Sequence, residues 1–330
     1  MIISRTPLRI SFVGGGTDLK SFYSKEFGKV LSTTIDKYVY VAVKRQIGIV
    51  EFKYRVNWSR VEIKNEIDDI EHPIVREALK FMKIDFPLEI STFADVPANT
   101  GLGSSSSFAV GLLHALFAIK GQRVTKSKLA SLASYIEVDI LGRTMGAQDH
   151  YAAAYGNFNV FTFNKDHTVT VEPVFYRPEV KKSIESNLML FYTGLKRDAS
   201  EVLKVQNEKT SEKFDCLKKM RELVDPLQDI LSSGRNLHEF GDILHQGWLL
   251  KKSISSEISS NQIDQYYERA LKAGALGGKL LGAGGGGFLL FYVEPQNQKA
   301  VQDSLSELYQ LRFGFDSAGT RITYYDQSIF

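Results

Sequence analysis

The stretch Pro97-Ala98-Asn99-Thr100-Gly101-Leu102-Gly103-Ser104-Ser105-Ser106-Ser107 joins two segments of opposite character. Residues 88–96 before it are rich in β-branched and aromatic side chains, which is typical of a strand. Residues 108–119 after it are strongly apolar and are followed by Gly121, which is typical of a buried helix. The sequence therefore predicts a strand, a glycine-rich turn and the amino terminus of a helix.

This predicted turn has the features of a phosphate-binding site. The first N–H groups of a helix lack intrahelical partners, and the helix dipole places partial positive charge around them. Small side chains let a ligand reach those groups, although a simple capped helix explains these residues equally well. The chain has no Walker A spacing and lacks the His-Arg-Asp and Asp-Phe-Gly signatures of protein kinases.

The glycines of the chain are concentrated in three places. Of 26 glycines in 330 residues, 13 lie at positions 14–16, 101–103 and 274–287. The third group matches Gly-x-Gly-x-x-Gly at 282–287, but it leads into a predicted strand at 288–293, which argues against a dinucleotide site. Four consecutive glycines lose much conformational entropy when ordered. We therefore expect this loop to approach a ligand or another loop closely.

The first glycine group lies in Gly14-Gly15-Gly16-Thr17-Asp18, after a predicted strand at 10–13. Thr17 or Asp18 is suited to cap a helix that begins near Leu19. Alternatively, Asp18 binds a polyol hydroxyl while the glycines let a sugar lie against the backbone. Arg9, on the strand, is either a cation near a phosphate site or a surface arginine.

Two carboxylates are candidates for chemistry. Glu137 lies in a predicted helix at 126–141, and Asp149 starts a short predicted helix at 149–154. Each alone is more often a solvated or capping residue. Beside a phosphate loop, however, a magnesium ligand and a residue that orients an attacking hydroxyl are what phosphoryl transfer needs. The six histidines show no metal-ligand spacing, and no Gly-x-Ser-x-Gly motif is present.

Composition and segment order predict an α+β fold with two domains, at 1–180 and 181–330. The boundary is placed where Arg177-Pro178 opens a polar stretch. The second part reads as a strand at 188–192, helices at 200–231, 237–252, 262–273 and 298–311, and a last strand at 321–325.

A net charge of +3 does not indicate nucleic-acid binding, and Cys216 is the only cysteine, which excludes a disulfide framework. No apolar run is long enough for a membrane span, so we expect a cytoplasmic protein.

Together the three loops resemble those of the GHMP small-molecule kinases. Arg5-Thr6-Pro7-Leu8-Arg9 with Gly14–Asp18 is similar to the first motif of that family, Pro97 with Gly101–Ser105 to the second, and Lys279–Gly287 to the third. Many members have Gly-Glu-His-Thr-Asp where this chain has Gly-Gly-Gly-Thr-Asp, and the absence of Glu-His argues against galactose as the substrate. This variant, with Ile35-Asp36-Lys37-Tyr38 and Gly146-Ala147-Gln148-Asp149, resembles the heptose 7-phosphate kinase branch.

The resemblance implies a fold and a set of site residues. The fold would combine an amino-terminal domain like domain 2 of ribosomal protein S5 with a ferredoxin-like carboxy-terminal domain. Asp149 and Arg9 would be catalytic, and Ser105 and Glu137 would hold Mg²⁺. The residues that would bind ATP are Pro97, Gly101, Leu102, Gly103, Ser104, Ser105 and Ser106. Those that would bind the acceptor are Gly15, Gly16, Thr17, Asp18, Gly285 and Gly286.

The resemblance also implies a reaction, which is ATP-dependent phosphorylation of the anomeric hydroxyl of a sugar phosphate, with heptose 7-phosphate as the expected acceptor. Such an enzyme would supply nucleotide-activated heptose for cell-surface polysaccharide. The acceptor's own phosphate needs a cation, and Arg143, Lys196 and Arg197 are candidates, although a solvated surface charge explains each equally well. A fucokinase-like sugar 1-kinase and a non-catalytic regulator with this fold are the alternatives. We expect no nucleic-acid or membrane partner.

Overall fold

In the computed structural model the described residues are 1–47, 49–195 and 199–326, without the side chains of 199–201. Two sheets and a set of helices make up this part of the chain. The strands are β1 (Ile2–Val13), β2 (Gly28–Arg45), β3 (Tyr54–Asn57), β4 (Val61–Lys64), β5 (Leu88–Ala94), β6 (Asn159–Phe163), β7 (Val169–Pro173), β8 (Leu188–Tyr192), β9 (Gly277–Leu280), β10 (Phe288–Tyr292), β11 (Tyr309–Leu311), β12 (Phe315–Asp316) and β13 (Arg321–Tyr325).

Helices pack against both sheets. They are α1 (Lys20–Tyr23), α2 (Pro73–Phe81), α3 (Ser104–Ile119), α4 (Lys126–Ser134), α5 (Gln148–Tyr155), α6 (Pro178–Asn187), α7 (Ala199–Glu208), α8 (Phe214–Glu222), α9 (Val224–Ser233), α10 (Glu239–Lys252), α11 (Asn261–Lys272) and α12 (Gln298–Ser304). Short 3₁₀ turns lie at Ile67–Asp69, Ser256–Ile258 and Pro295–Asn297, and a π-helical segment at Tyr135–Ile140 continues α4.

The larger sheet has the order β13-β1-β2-β5-β3-β4. The long strand β2 also pairs with β6 and β12, and β7 pairs with β6. Helix α3 packs against β1 and β2, and its side chains are buried on most sides, from Phe108 to Ile119. An apolar helix of this kind is stable because both of its faces are covered.

The smaller sheet has the order β11-β8-β10-β9 and is antiparallel throughout. Its strands pack with α10 and α11 around a second buried cluster that includes Trp248, Phe191 and Phe291. The larger sheet is antiparallel except where β3 pairs with β5, and the helices are segregated from the strands, which confirms the predicted α+β class. The predicted division at 180/181 stays a prediction, and β12 and β13 return from the end of the chain to the larger sheet.

Several predicted elements differ from the structure. The predicted helix at 298–311 is wrong in its second half, because α12 ends at Ser304 and β11 pairs with the edge of β8. The predicted helix at 200–231 is divided among α7, α8 and α9. Helix α6 lies in the polar stretch that we interpreted as a domain boundary. Pairing with a neighbouring strand decides such edge segments more strongly than local propensity does.

Candidate functional site

The three glycine-rich loops converge on one cleft. Residues of all three loops line this cleft. The loops form one side of the cleft, and Leu203, Gln206, Met220 and Lys251 from α7, α8 and α10 contribute to the other. The sequence-predicted site residues that line it are Arg9, Gly15, Gly16, Asp18, Gly101, Gly103, Ser104, Ser105, Ser106 and Asp149.

Arg9 and Asp149 form a two-point ion pair inside this cleft. Arg9 Nε donates to Asp149 Oδ1 at 2.7 Å, and Arg9 Nη2 donates to Oδ2 at 2.6 Å. The guanidinium also donates from Nη1 to the carbonyl oxygen of Gly101 at 2.5 Å. Arg9 is 5% exposed, so this pair is shielded from water. Paired, nearly parallel bonds of this kind fix both the position and the orientation of the carboxylate.

The amino terminus of α3 opens into the same cleft. Gly103 precedes the helix in a left-handed conformation with φ of 76° and supplies no side-chain cap to the first N–H groups. A Cβ on Gly103 would lie 3.1 Å from Arg9 Cγ and 3.3 Å from Asp149 Oδ2. Glycine therefore lets the ion pair approach the helix terminus. The absence of a cap on a terminus that lines a cleft favours anion binding over the simple capped helix.

Glu137 is fully buried in the π-helical segment and contacts three polar side chains. Its Oε1 accepts hydrogen bonds from Ser105 Oγ at 2.6 Å and from Arg143 Nη1 at 2.5 Å. Its Oε2 bonds to His150 Nε2 at 2.9 Å. Burial alone raises the pKa of Glu137, but the hydrogen bonds from His150 and Ser105 and the charge of Arg143 outweigh it and lower the pKa below its ordinary value. Glu137 is therefore an anion at neutral pH.

Ser105 and Glu137 fit the donor set that Mg²⁺ prefers. A hydroxyl oxygen and a carboxylate oxygen 2.6 Å apart are hard ligands close enough to share one cation. The rest of its coordination shell would come from phosphate oxygens and water, as is usual for magnesium. In keeping with this, residues 1–47, 49–195 and 202–326 hold no group of three or more His, Cys, Asp or Glu side chains that could bind a metal by itself.

In the loop before α1, Asp18 lines the cleft, whereas Thr17 holds the turn together. Asp18 Oδ1 accepts from Gly16 N at 2.9 Å, and its Oδ2 accepts from Gln148 N at 3.3 Å. Burial, together with the charge of Asp149, raises the pKa of Asp18. Thr17 is fully buried, and its hydroxyl donates to Gly14 O at 2.7 Å. Asp18 is therefore placed to meet a ligand, whereas Thr17 stabilises the turn.

Some sequence-predicted residues do not line the cleft. Leu102 is buried, and its carbonyl accepts from Arg9 N at 3.0 Å. Pro97 is exposed, and Arg143 points its guanidinium at Glu137. Gly285 N donates to Ile258 O at 3.0 Å, and a Cβ on Gly286 would lie 2.5 Å from Leu195 O. These positions support the loops. Lys196 and Arg197 lie outside the described residues.

Sequence reasoning missed two lysines that line the cleft. Lys251 is in the last turn of α10, and Lys279 is on β9. Lys279 belongs to the third motif, but its position inside a short apolar segment suggested only strand structure. Lys251 follows an apolar run in a helix that also carries the partly exposed Lys252, so nothing in the sequence separates the buried lysine from its neighbour.

Two family models match this chain. The model of the GHMP kinases N terminal domain matches residues 73–157, and the model of the GHMP kinases C terminal region matches residues 220–311. With the fold described above, they define the class of protein, which is a small-molecule kinase. The chain belongs to the GHMP kinase family, whose members use ATP, generally with Mg²⁺.

Several sugar kinases match this chain over nearly its whole length. The chain is 30% identical to the D-glycero-alpha-D-manno-heptose 7-phosphate kinase of Campylobacter jejuni, covering 97% of this chain and 98% of the relative. It is 23% identical to the galactokinase of Pyrococcus furiosus, covering 95% of each. A crystal structure of a D-glycero-D-manno-heptose 1-phosphate kinase from Bacteriodes thetaiotaomicron aligns with a TM-score of 0.81 at 24% identity, covering 99% of this chain and 100% of the other.

No helix in the described part of the chain is long and apolar enough to cross a membrane.

Proposed function

We propose that this protein transfers the γ-phosphoryl group of ATP to the anomeric hydroxyl of a sugar phosphate, with D-glycero-D-manno-heptose 7-phosphate as the acceptor. The observation that carries the proposal is the buried Arg9–Asp149 ion pair at the uncapped amino terminus of α3. A carboxylate held beside a phosphate cradle is the arrangement that positions a hydroxyl for attack on phosphorus. The full-length similarity to a heptose 7-phosphate kinase supports the choice of acceptor.

In the proposed reaction, Asp149 orients the acceptor hydroxyl and receives its proton. The hydroxyl oxygen forms a bond to the γ-phosphorus, the bond from that phosphorus to the bridging oxygen breaks, and ADP leaves with the bridging electron pair. Each carboxylate oxygen of Asp149 keeps an acceptor site beyond its bond to Arg9. Arg9 holds the carboxylate in place and offers positive charge to the transferred group.

The amino terminus of α3 would bind the ATP phosphates through its first N–H groups. Ser105 and Glu137 would hold Mg²⁺, which neutralises charge on the phosphates when bound. Asp18 and the backbone at Gly15 and Gly16 would contact the sugar, since all three line the cleft beside Asp149. Closure of the α7–α8 side over the loops would exclude water from the transferred group.

An acceptor screen with ATP and Mg²⁺ tests the function. With heptose 7-phosphate we expect ADP to be released. We also expect the sugar product to have no free reducing end, because its anomeric hydroxyl carries the new phosphate. Turnover on free fucose, galactose or other hexoses that exceeds turnover on heptose 7-phosphate would instead assign an ordinary sugar 1-kinase. No turnover with any sugar or sugar phosphate would favour the non-catalytic regulator.

The magnesium site predicts a specific effect of Glu137→Gln and of Ser105→Ala. Each variant removes one of the two oxygen ligands, and we expect each to weaken MgATP binding by about tenfold or more. Calorimetric titration with MgATP and with ATP in EDTA measures the effect. The loss should appear only when Mg²⁺ is present, because neither substitution changes the backbone N–H groups at the start of α3.

Ser105→Ala serves as the check on folding, since it leaves the Glu137–His150 contact intact. If both variants bind MgATP as tightly as the wild type, Ser105 and Glu137 are not the metal ligands.

A further inference from the structure

Two buried lysines face the cleft without a carboxylate partner. Lys251 and Lys279 are each 7% exposed, and both line the cleft that holds Arg9 and Asp149. Neither forms an ion pair with any residue in the described part of the chain. A buried ammonium group is costly unless an opposite charge or hydrogen bonds compensate for it. Two buried lysines in one cleft therefore cost stability unless a ligand supplies the missing negative charge.

The hydrogen bonds of the two lysines leave donors free. Lys279 Nζ donates to the carbonyl oxygens of Ser11 at 2.8 Å and Phe12 at 2.6 Å, whereas Lys251 Nζ donates to Gly282 O. An ammonium group has three N–H donors. In the charged forms these contacts leave two donors free on Lys251 and one on Lys279, and both residues line the same cleft.

The electrostatics of the pair match an anionic ligand. Burial, with the repulsion of Arg9, lowers the pKa of Lys251 to about 8, although Asp18 and Asp149 act in the opposite direction. Burial, with the charges of Lys251 and Arg9, lowers the pKa of Lys279 well below its ordinary value. A bound dianion would favour the charged form of both groups.

Lys251 and Lys279 lie near the loop that is proposed to bind the sugar acceptor. The carbonyl partners of Lys279, Ser11 and Phe12, lie on β1 just before the Gly14–Gly16 loop, and Lys251 lines the cleft together with Asp18 and Asp149. Arg143, the other described cation considered for this role, is engaged with Glu137 and Ser105.

We propose that Lys251 and Lys279 bind the phosphate group that the acceptor already carries before the transfer. This inference rests on the proposed function and names the part of the acceptor that the pair recognises. The pair would distinguish sugar phosphates from free sugars, because the phosphate is the charged group of the acceptor and a free sugar offers the lysines no anion.

The test compares two ligands in two variants of the full chain. Calorimetry without nucleotide measures the affinity of heptose 7-phosphate and of the same heptose without phosphate. Lys251→Met should weaken binding of the phosphorylated sugar by about tenfold or more and leave the affinity for the free sugar unchanged. Lys252→Met is the matched control, because Lys252 is adjacent in sequence but pairs with Asp264 at 2.9 Å; it should leave both affinities unchanged.

Two outcomes would overturn the inference. If Lys251→Met weakens the binding of both sugars equally, Lys251 stabilises the loop at Gly282 and does not bind the phosphate. Unchanged affinities with a fall in kcat for both acceptors would assign Lys251 to the transferred phosphoryl group. Because binding is measured without ATP, failure of the acceptor screen would reject the proposed reaction without deciding whether the lysines bind a sugar phosphate.

Discussion

Asp149→Asn is expected to lower kcat by about 10²- to 10⁴-fold, the usual contribution of a positioned general base. The amide cannot accept a proton from the acceptor hydroxyl, and its NH₂ group would face the donors of Arg9 in place of a carboxylate oxygen. ATP binding should persist, because the α3 terminus and the Ser105–Glu137 pair are not altered. Steady-state turnover with heptose 7-phosphate, together with ATP affinity by calorimetry, measures both effects.

Asp139→Asn is the control for this substitution. Asp139 lies on the surface and pairs with Lys20, so removal of its charge should leave turnover unchanged. Thermal unfolding of both variants shows whether Asp149→Asn also disturbs the fold around Arg9. Turnover close to that of the wild type in a folded Asp149→Asn protein would remove Asp149 from the proposed chemistry.

The parts of the fold that could be predicted from sequence are those with strong local signals. The apolar helix after Gly103 and the strand before Pro97 were predicted correctly because burial and turn chemistry agree there. The last predicted helix was wrong because residues 309–311 pair with β8, a contact more than one hundred residues away in sequence. Local propensity carries no information about such a partner.

The candidate site shows the same division. Gly101, Gly103 and Asp18 could be anticipated as cleft residues because they lie in glycine-rich loops that each follow a predicted strand. Lys251 and Lys279 could not, since a lysine near an apolar stretch is usually a residue whose ammonium group reaches solvent. Only the packing of α10 and β9 against the loops shows that these two groups stay inside.

Glu137 illustrates a third limit. Sequence periodicity predicted one helix over 126–141, but the structure changes from α to π geometry at Tyr135. A π segment adds a residue to the turn and redirects the side chains after it, and such segments are frequent at functional sites. Here the π segment carries Glu137, whose side chain meets Ser105. The contact with Arg143 was also invisible in the sequence, where Arg143 looked available for substrate.

The glycine loops make the second large prediction, which concerns Gly101→Ala. Gly101 has φ of 82°, and a Cβ at this position would lie 2.5 Å from the carbonyl oxygen of Leu281. Gly282 faces it, and a Cβ there would lie 2.5 Å from Gly101 Cα. The second and third motifs therefore touch through bare backbone, and any side chain must push the two loops apart.

We expect Gly101→Ala to lower kcat/KM for ATP by about 100-fold, the cost of displacing a reacting group by about 1 Å. The displacement arises because Gly101 also holds Arg9 through its carbonyl oxygen. Gly121→Ala is the matched control, since Gly121 has φ of 65° but nothing within 4 Å of a Cβ. It should lose about 1 to 2 kcal/mol of stability from left-handed strain and keep its kcat/KM. If both variants lose activity equally, backbone strain alone is responsible, and contact between the two loops does not position the phosphate site.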